Sequence, residues 1–306
     1  MDADLAMIFP TSIRPRMRKL NWEGLEEIRV RIGWPIELIY DNRSEWLGNY
    51  ECMMDRSRLD EMLNYITNYS IYAMEEELRQ GYITYAGGHR IGITGHATYE
   101  TLETTNKPQI KNLVDIGGLN IRIANEKKGC AKKIVPHIRK GDSIYNTIFF
   151  AAPGVGKTTY LRDAIRILAS KNEQHEALKV CVVDERSEIA ACIDGKPQND
   201  LGKRSDVLDA CPKVIGMQMA LRTMSPDIIA VDELGKKEEI WMLEKMQCSG
   251  VKVLGTIHAG DIQEAMQALK GRRQTVERFV ELRKTQHGVR EFSIYDADGK
   301  QIWKQS

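Results

Sequence analysis

The chain has no long apolar run, no closely spaced cysteine pair and no excess of charge of either sign. A membrane-spanning helix needs roughly 18 or more consecutive apolar residues, and no segment of this sequence approaches that length. Asp2 and Asp4 lie at the start of the chain, which contains no apolar core of the kind that a secretory signal requires. We therefore expect a protein without a secretory signal that is not integral to a membrane.

The six cysteines are scattered along the sequence, and no two of them form a C-x-x-C pair. Disulfide frameworks and structural zinc sites need closer and more regular cysteine spacing. The pattern argues against both and indicates reduced thiols, as expected for a cytoplasmic protein.

The overall charge is nearly balanced, with 44 Lys and Arg against 43 Asp and Glu. This balance argues against a protein that binds polyanions through its net charge, but it leaves a local basic patch possible. The length of 306 residues predicts two domains of about 150 residues each, and a single large α/β domain is the alternative.

The first half of the sequence has a mixed pattern of strands and helix. Ile28, Val30 and Ile32 alternate with Arg29 and Arg31, as in a half-buried strand. The other predicted elements are strands over 36–40, 82–85, 90–94 and 119–124 and a helix from Asp55 to about Gln80. This half is predicted to be a smaller α+β domain, residues 1–125.

The second half alternates strand and helix patterns, which predicts a mainly parallel sheet covered by helices. Its predicted strands span 147–150, 180–183, 228–231 and 251–257, and its predicted helices span 158–170, 212–224, 236–249, 261–269 and 274–282.

Residues 126–140 are strongly basic and contain a single acidic residue, Glu126. We call this segment the basic stretch and interpret it as a linker between the two domains. A solvated linker is one reading of such a charge run. A contact with an acidic partner, a phospholipid or a nucleic acid is the other.

A glycine-containing loop, Ala151 to Thr159, follows a predicted strand and opens a predicted helix. That context is typical of a phosphate-binding loop, in which backbone N–H groups and the helix N-terminus bind phosphate. Lys157 can reach the β- and γ-phosphates, and the Thr158 hydroxyl can bind Mg²⁺. Ala151 stands where the motif usually has its first glycine. The residues predicted to bind the nucleotide are Pro153, Gly154, Val155, Gly156, Lys157, Thr158 and Thr159. The segment 141–306 is therefore predicted to be a P-loop domain that binds ATP and Mg²⁺.

Acidic or polar residues end three of the predicted strands. Asp232 and Glu233 follow an apolar strand, where Asp232 can hold Mg²⁺ and Glu233 can deprotonate the attacking water. Glu185 follows Asp184 in the same way one strand earlier, and surface-loop charge is the alternative for both. His258 ends a third strand, two residues after Thr256, and either side chain could sense the γ-phosphate.

These motifs in this order resemble the secretion-type hexameric ATPases of the RecA-like P-loop class. A more specific resemblance, to the stage III sporulation protein AA family, is carried by Asp184 to Ala190, Pro197 to Asp200, Asp206 to Asp209, Cys211 to Lys213 and Met224 to Gly235. In the first half, Glu27 to Arg31, Gly81 to Thr84 and Gly87 to Arg90 also fit. The fold that this resemblance implies is α/β, a C-terminal RecA-like P-loop NTPase sheet with flanking helices plus the smaller N-terminal domain.

The resemblance also implies residue roles. Lys157, Thr158, Asp232 and Glu233 take their P-loop roles, and Glu185, His258 and Arg222 assist catalysis. Secretion ATPases place arginines from the N-terminal domain across a subunit interface. The candidates by position are Arg90 and Arg122, whose alternative interpretation is outward charge on half-buried strands.

The expected function is that of a Mg²⁺-dependent ring motor, and the resemblance implies a homo-oligomer that is expected to be a hexamer. In that family the motor is cytoplasmic, peripheral to the membrane on the mother-cell side, and serves membrane channel proteins of a secretion-like apparatus that joins mother cell and forespore. Two alternatives stay open: a RecA-like nucleic-acid motor that uses the basic stretch and residues 14–19, and a nucleotide-gated scaffold with little turnover. The balanced charge and the lack of aromatic residues among those bases argue against nucleic acid.

Overall fold

A computed structural model describes residues 3–41, 43–48, 50–69, 81–101, 108–124, 126–269, 271–285 and 290–305. The chain divides into two compact units, Met1–Asn125 and Glu126–Ser306. Among the described residues, no helix has both the length and the apolar composition needed to cross a bilayer.

The first unit is built on a six-stranded antiparallel sheet with the strand order β3-β2-β1-β6-β5-β4. Its strands are β1 (Leu25–Arg31), β2 (Ile36–Tyr40), β3 (Arg43–Leu47), β4 (Tyr82–Tyr85), β5 (His89–Thr101) and β6 (Pro108–Arg122). Its helices are α1 (Ala3–Met7), α2 (Arg14–Arg18) and α3 (Arg56–Ile66). The apolar side chains of β1 are buried and its arginines are half-buried, because side chains alternate between the two faces of a strand.

The α3 helix begins where the sequence predicts and ends earlier. The Asp55 side chain accepts the N–H of Arg58, which caps the first turn. The helix ends at Ile66, and Asn68 and Tyr69 after it adopt left-handed backbone angles that a helix cannot continue through. Residues 70–80 of the predicted helix lie outside the described residues.

The second unit contains an eight-stranded sheet in the order β11-β10-β12-β13-β9-β14-β15-β16. Its strands are β9 (Thr147–Ala151), β10 (Val180–Asp184), β11 (Ser205–Asp209), β12 (Ile228–Val231), β13 (Lys252–His258), β14 (Arg278–Lys284), β15 (Arg290–Asp296) and β16 (Gln301–Lys304), and a separate ribbon pairs β7 (Arg139–Lys140) with β8 (Ser143–Ile144). Its helices are α4 (Val135–Ile138), α5 (Lys157–Leu168), α6 (Lys213–Thr223), α7 (Lys237–Cys248) and α8 (Ile262–Ala268). The pairs from β11 to β14 are parallel, and β15 and β16 are antiparallel.

The central strands are buried on both faces, which explains their nearly continuous apolar sequences. Every residue of β9, β10 and β12 is buried. One apolar core packs α5 against the sheet, and a second packs α6 and α7 against the opposite face. The carboxyl ends of the parallel strands therefore meet at one edge of the sheet.

The segment 274–282 was predicted to be a helix, and this prediction is wrong. The chain forms a short 3-10 turn at Arg273–Thr275 and then strand β14. Phe279 and Val280 are fully buried there, because β14 pairs with β9 on one side and β15 on the other. Pairing partners distant in sequence decided the conformation.

The basic stretch folds as part of the second unit, whereas its composition predicted a linker. Ala131, Ile134, Val135 and Ile138 are buried in the core on the α5 side of the sheet. The carboxylate of Asp163 on α5 accepts the N–H groups of residues 129 and 131, at 2.9 and 2.8 Å. The lysines of the stretch alternate with apolar residues that anchor it.

We expect Asp163→Ala to destabilise the protein by about 3–5 kcal/mol, because it leaves two N–H groups and the Arg166 guanidinium without their acceptor. Asp163 is 3% exposed and lies 2.7 Å from an Arg166 nitrogen. Urea unfolding followed by circular dichroism measures the change. The control is Asp200→Ala, which removes an exposed ion pair with Lys128 and should cost less than about 1 kcal/mol. Equal losses in the two variants would contradict the anchoring role.

Candidate nucleotide-binding site

The loop between β9 and α5 has the backbone of a phosphate-binding loop. Gly154 and Gly156 have φ values of 78° and 110°, a region that L-residues with side chains rarely adopt. Helix α5 has no side-chain cap at its start, so its first N–H groups have no side-chain acceptor and can bind phosphate. Ala151, in the place of the usual glycine, is a buried strand residue and fits there.

Lys157 opens α5 and points into the loop. Its Nζ donates to the Ala151 carbonyl at 3.2 Å and lies 2.9 Å from Nδ1 of His258. Burial lowers its pKa, and the nearby carboxylates of Asp232 and Glu233 offset only part of that effect. A bound phosphate would add the negative charge that favours the ammonium form.

Thr158 and Asp232 form a pair of oxygen ligands suited to Mg²⁺. The Thr158 hydroxyl donates to Asp232 Oδ2 at 2.5 Å, and the Thr256 hydroxyl donates to Oδ1. Burial raises the pKa of Asp232, while the two hydroxyl bonds act to lower it. Among the described residues, no cluster of three or more His, Cys, Asp and Glu side chains could hold a metal ion. Two oxygen ligands fit Mg²⁺, which usually keeps waters and phosphate oxygens as its other ligands.

Glu233 adopts a left-handed backbone conformation, with φ at 52°. Its N–H donates to the Thr256 hydroxyl at 2.8 Å. Its carboxylate lies 3.2 Å from Nε2 of His258 and 3.4 Å from Nη1 of Arg186. Burial acts to raise the pKa of Glu233, but the hydrogen bond from His258 and the positive charges around it outweigh burial and lower it. The side chain is therefore held as a carboxylate.

His258 bridges Lys157 and Glu233. A neutral imidazole with its proton on Nε2 satisfies both contacts, because Nδ1 then accepts from Lys157 and Nε2 donates to Glu233. The tautomer is assigned from this hydrogen-bond network. The bridge places His258 between the loop lysine and Glu233, the candidate base.

The acidic residues after β10 have different surroundings. Asp184 is buried and accepts the N–H groups of residues 188, 189 and 190, so it shapes its own loop. Burial raises its pKa. Glu185 lies 3.5 Å from Nζ of Lys213. Of the predicted pair, Asp184 thus shapes its loop and Glu185 is a counter-ion of Lys213.

Lys213 was not predicted as a site residue. It opens α6 and is 9% exposed, and its Nζ donates to the backbone carbonyl of Glu233 at 2.7 Å. Gly216 lets α6 lie close to β10, because a Cβ there would come within 2.4 Å of Val183 Cγ1. A lysine in the first helical turn opposes the helix dipole, and that unfavourable placement was the available sequence signal.

Arg290 on β15 is a second residue that the sequence analysis missed. Its Nε donates to the carbonyl of Val155 in the phosphate-binding loop at 3.0 Å. The sequence does not reveal this contact, because the two residues are 135 positions apart.

The structure does not bring every predicted site residue together. Arg222 lies near the far end of α6 from Lys213 and lines a cavity with Trp241, so a role beside the phosphate within the same chain is not supported. Arg90 and Arg122 lie in the first unit, opposite each other on β5 and β6. Pro153 lies in the loop, and Thr159 lies in the first turn of α5.

The phosphate-binding loop, the largely parallel sheet and the polar strand ends define a P-loop protein with the RecA-like fold of the secretion ATPases. The chain belongs to the "Sporulation stage III, protein AA" family, whose model matches residues 3–302. It is 36% identical over 303 residues to stage III sporulation protein AA of Bacillus subtilis (strain 168), covering 97% of this chain and 95% of that protein.

Two solved structures share the fold. The Legionella pneumophila ATPase DotB matches with a TM-score of 0.58 and 19% identity, over 90% of this chain and 77% of DotB. The pilus retraction motor PilT, solved with bound ADP, matches with a TM-score of 0.62 and 14% identity, over 94% of this chain and 83% of PilT.

Proposed function

We propose that this protein is a Mg²⁺-dependent ATPase that works as a ring, a hexamer, during sporulation. The observation that carries the proposal is the arrangement of Lys157, the Thr158–Asp232 pair and Glu233 at one edge of the sheet. Direct hydrogen bonds join Thr158, Asp232 and Glu233, and His258 connects Lys157 to Glu233, so groups suited to phosphate binding, metal binding and proton transfer lie together. DotB and PilT, which share the fold, are named as an ATPase and a motor.

Each group has a distinct task in hydrolysis of the γ-phosphate. The loop N–H groups and Lys157 bind the phosphates, and Thr158 and Asp232 hold Mg²⁺ through oxygen. The metal, when bound, neutralises charge on the phosphate oxygens. Glu233 orients the attacking water and takes its proton, and an ionised carboxylate is the form that this step requires.

His258 couples the nucleotide to the base. A γ-phosphate competes with Nδ1 of His258 for the Lys157 ammonium, because the phosphate carries more negative charge. Release from Lys157 frees Nδ1 while Nε2 still contacts Glu233. The position of Glu233 thereby comes to depend on whether the nucleotide has a γ-phosphate.

A neighbouring subunit completes the site in this proposal. Arg90 and Arg122 are paired across adjacent strands, and the Arg90 guanidinium lies 4.6 Å from the centre of the Tyr82 ring. A phosphate group from another copy would gain transition-state stabilisation from the two guanidinium groups. This arrangement requires a ring in which each first unit serves the next subunit's nucleotide.

The family relationship guides the proposed setting. The motor acts from the cytoplasm, peripheral to the membrane on the mother-cell side, and energises membrane channel proteins of a secretion-like apparatus between mother cell and forespore. The similarity to stage III sporulation protein AA over nearly the whole chain supports this assignment.

The direct test is the ATPase rate of the purified protein across a range of protein concentrations, with and without EDTA. We expect the specific activity to rise with protein concentration and to disappear when Mg²⁺ is removed. A rate per subunit that does not change with concentration would contradict a site completed by assembly. A rate unaffected by EDTA would contradict the metal role of Thr158 and Asp232.

We expect Lys213→Met to lower turnover at least tenfold with little change in ATP affinity. Lys213 fixes the Glu233 backbone through its carbonyl and touches none of the groups assigned to phosphate binding. Its loss frees the left-handed backbone at residue 233 to relax. Lys213→Arg should restore part of the rate, since a guanidinium can make the same bond. A large change in the apparent affinity for ATP at constant turnover would contradict the positioning role.

A further inference from the structure

The basic stretch forms one wall of an open cleft of about 670 Å³ in the second unit. Lys132, Val135 and Arg139 come from this stretch, and Arg166 and His175 line the cleft from α5 and the loop that follows it. The basic stretch, whose charge suggested a linker, thus forms part of a concave surface.

The lining of this cleft is basic without compensating acids. Lys132 and Arg139 carry positive charge, and the His175 ring adds a nitrogen donor. The charge of Arg166 is paired with Asp163, at 2.7 Å. None of the described residues that line the cleft is Asp or Glu. The excess charge therefore has no partner within the cleft lining.

Arg139 provides the most specific observation. Its Nη2 atom is buried and has no hydrogen-bond partner among the described residues. Burial lowers the pKa of Arg139, and the charge of Asp142 offsets this effect only in part. Because Arg139 as a whole is only partly buried and lines the cleft, its side chain can contact an anionic ligand there.

The size and position of the cleft distinguish it from the nucleotide site. Its volume lies within the range of about 300–1,000 Å³ that is usual for small-molecule pockets. Pro136 and Ile167 add apolar surface to the lining. Arg166 lies nine residues after Lys157 on α5, about 14 Å along the helix axis, so the phosphate-binding loop is at the other end.

We propose that this cleft binds a phosphate-bearing ligand, held by Arg139, Lys132 and His175. A guanidinium and an ammonium that converge on one surface are suited to a multiply charged tetrahedral anion. The phosphate can belong to a free small molecule or to a lipid headgroup. The proposal does not depend on ATP hydrolysis by this protein.

The test uses the full chain carrying Lys157→Ala, which removes the ammonium from the phosphate-binding loop. Inorganic pyrophosphate is titrated by calorimetry, and binding to vesicles of phosphatidylglycerol is compared with binding to vesicles of phosphatidylcholine. In that background, Arg139→Gln and Lys132→Gln are expected to weaken binding at least tenfold, and His175→Gln by a smaller factor. Lys133→Gln is the matched control, because Lys133 is exposed in the same stretch and does not line the cleft.

Binding of pyrophosphate that depends on Arg139 supports a free phosphorylated ligand. Binding only to phosphatidylglycerol vesicles, with the same dependence, supports a headgroup. The proposal is overturned if neither probe binds, or if Lys133→Gln weakens binding as much as Lys132→Gln. Lys132 is exposed and His175 is only half-buried, so their variants carry the test if Arg139→Gln fails to fold.

Discussion

Replacement of Glu233 by Gln is expected to lower ATP turnover by roughly 10²–10⁴-fold while ATP binding is retained. Glutamine keeps the shape of the side chain and can still contact His258, but it cannot take a proton from water. The phosphate-binding groups, Lys157 and the first N–H groups of α5, are unchanged. Binding and turnover should therefore separate in this variant.

Single-turnover hydrolysis and fluorescent-nucleotide binding, measured on the same preparation, check this expectation. Glu188→Gln is the matched control, since Glu188 and Glu233 line one pocket. The carboxylate of Glu188 lies 3.6 Å from Arg186. We expect this control to hydrolyse ATP at close to the wild-type rate. Wild-type turnover in Glu233→Gln would show that Glu233 is not the base, and it would favour a nucleotide-gated scaffold.

Loss of both Arg90 and Arg122 is expected to lower turnover by roughly 10³–10⁵-fold, the range known for arginines that stabilise a transferring phosphoryl group. The two residues are opposite each other on the face of the first sheet that also carries Glu27 and Arg29. Arg29→Ala is the matched control, because its charge is already paired with Glu27 at 3.0 Å. Comparable losses in the control would indicate damage to the sheet.

Mixing two inactive variants tests whether the arginines act across a subunit interface. Rings assembled from equal amounts of Glu233→Gln and the Arg90→Ala/Arg122→Ala double variant should regain activity. In a random ring, roughly a quarter of the sites combine an intact Glu233 with intact arginines from the next subunit. If the arginines acted within their own chain, no mixed site would be complete and the mixture would stay inactive.

The strongest sequence predictions concerned contiguous motifs. The phosphate-binding loop and the acidic end of β12 each lie within a few residues, so composition and flanking patterns were enough to place Lys157, Thr158, Asp232 and Glu233 in a strand–loop–helix context. The alternating strands and helices of the second half likewise predicted its largely parallel sheet. The RecA-like fold of the secretion ATPases and the family membership are confirmed.

Other features depended on parts of the chain that are distant in sequence. Strand β14 exists because β9 and β15 provide hydrogen-bond partners on both of its sides, and the 274–282 segment alone resembled a helix. The basic stretch looked solvated because its lysines dominate its composition, whereas its few apolar residues decide where it packs.

The sequence by itself identified the candidate phosphate-binding and catalytic residues, because a glycine loop and a strand end carry their chemistry locally. Only the tertiary structure decided which groups support them. It joined Lys213 to Glu233 and Arg290 to Val155, and it left Arg222 at the opposite end of its helix. Those outcomes follow from strand order and from the direction of α6, since the crossover connections determine which helix end lies above the site.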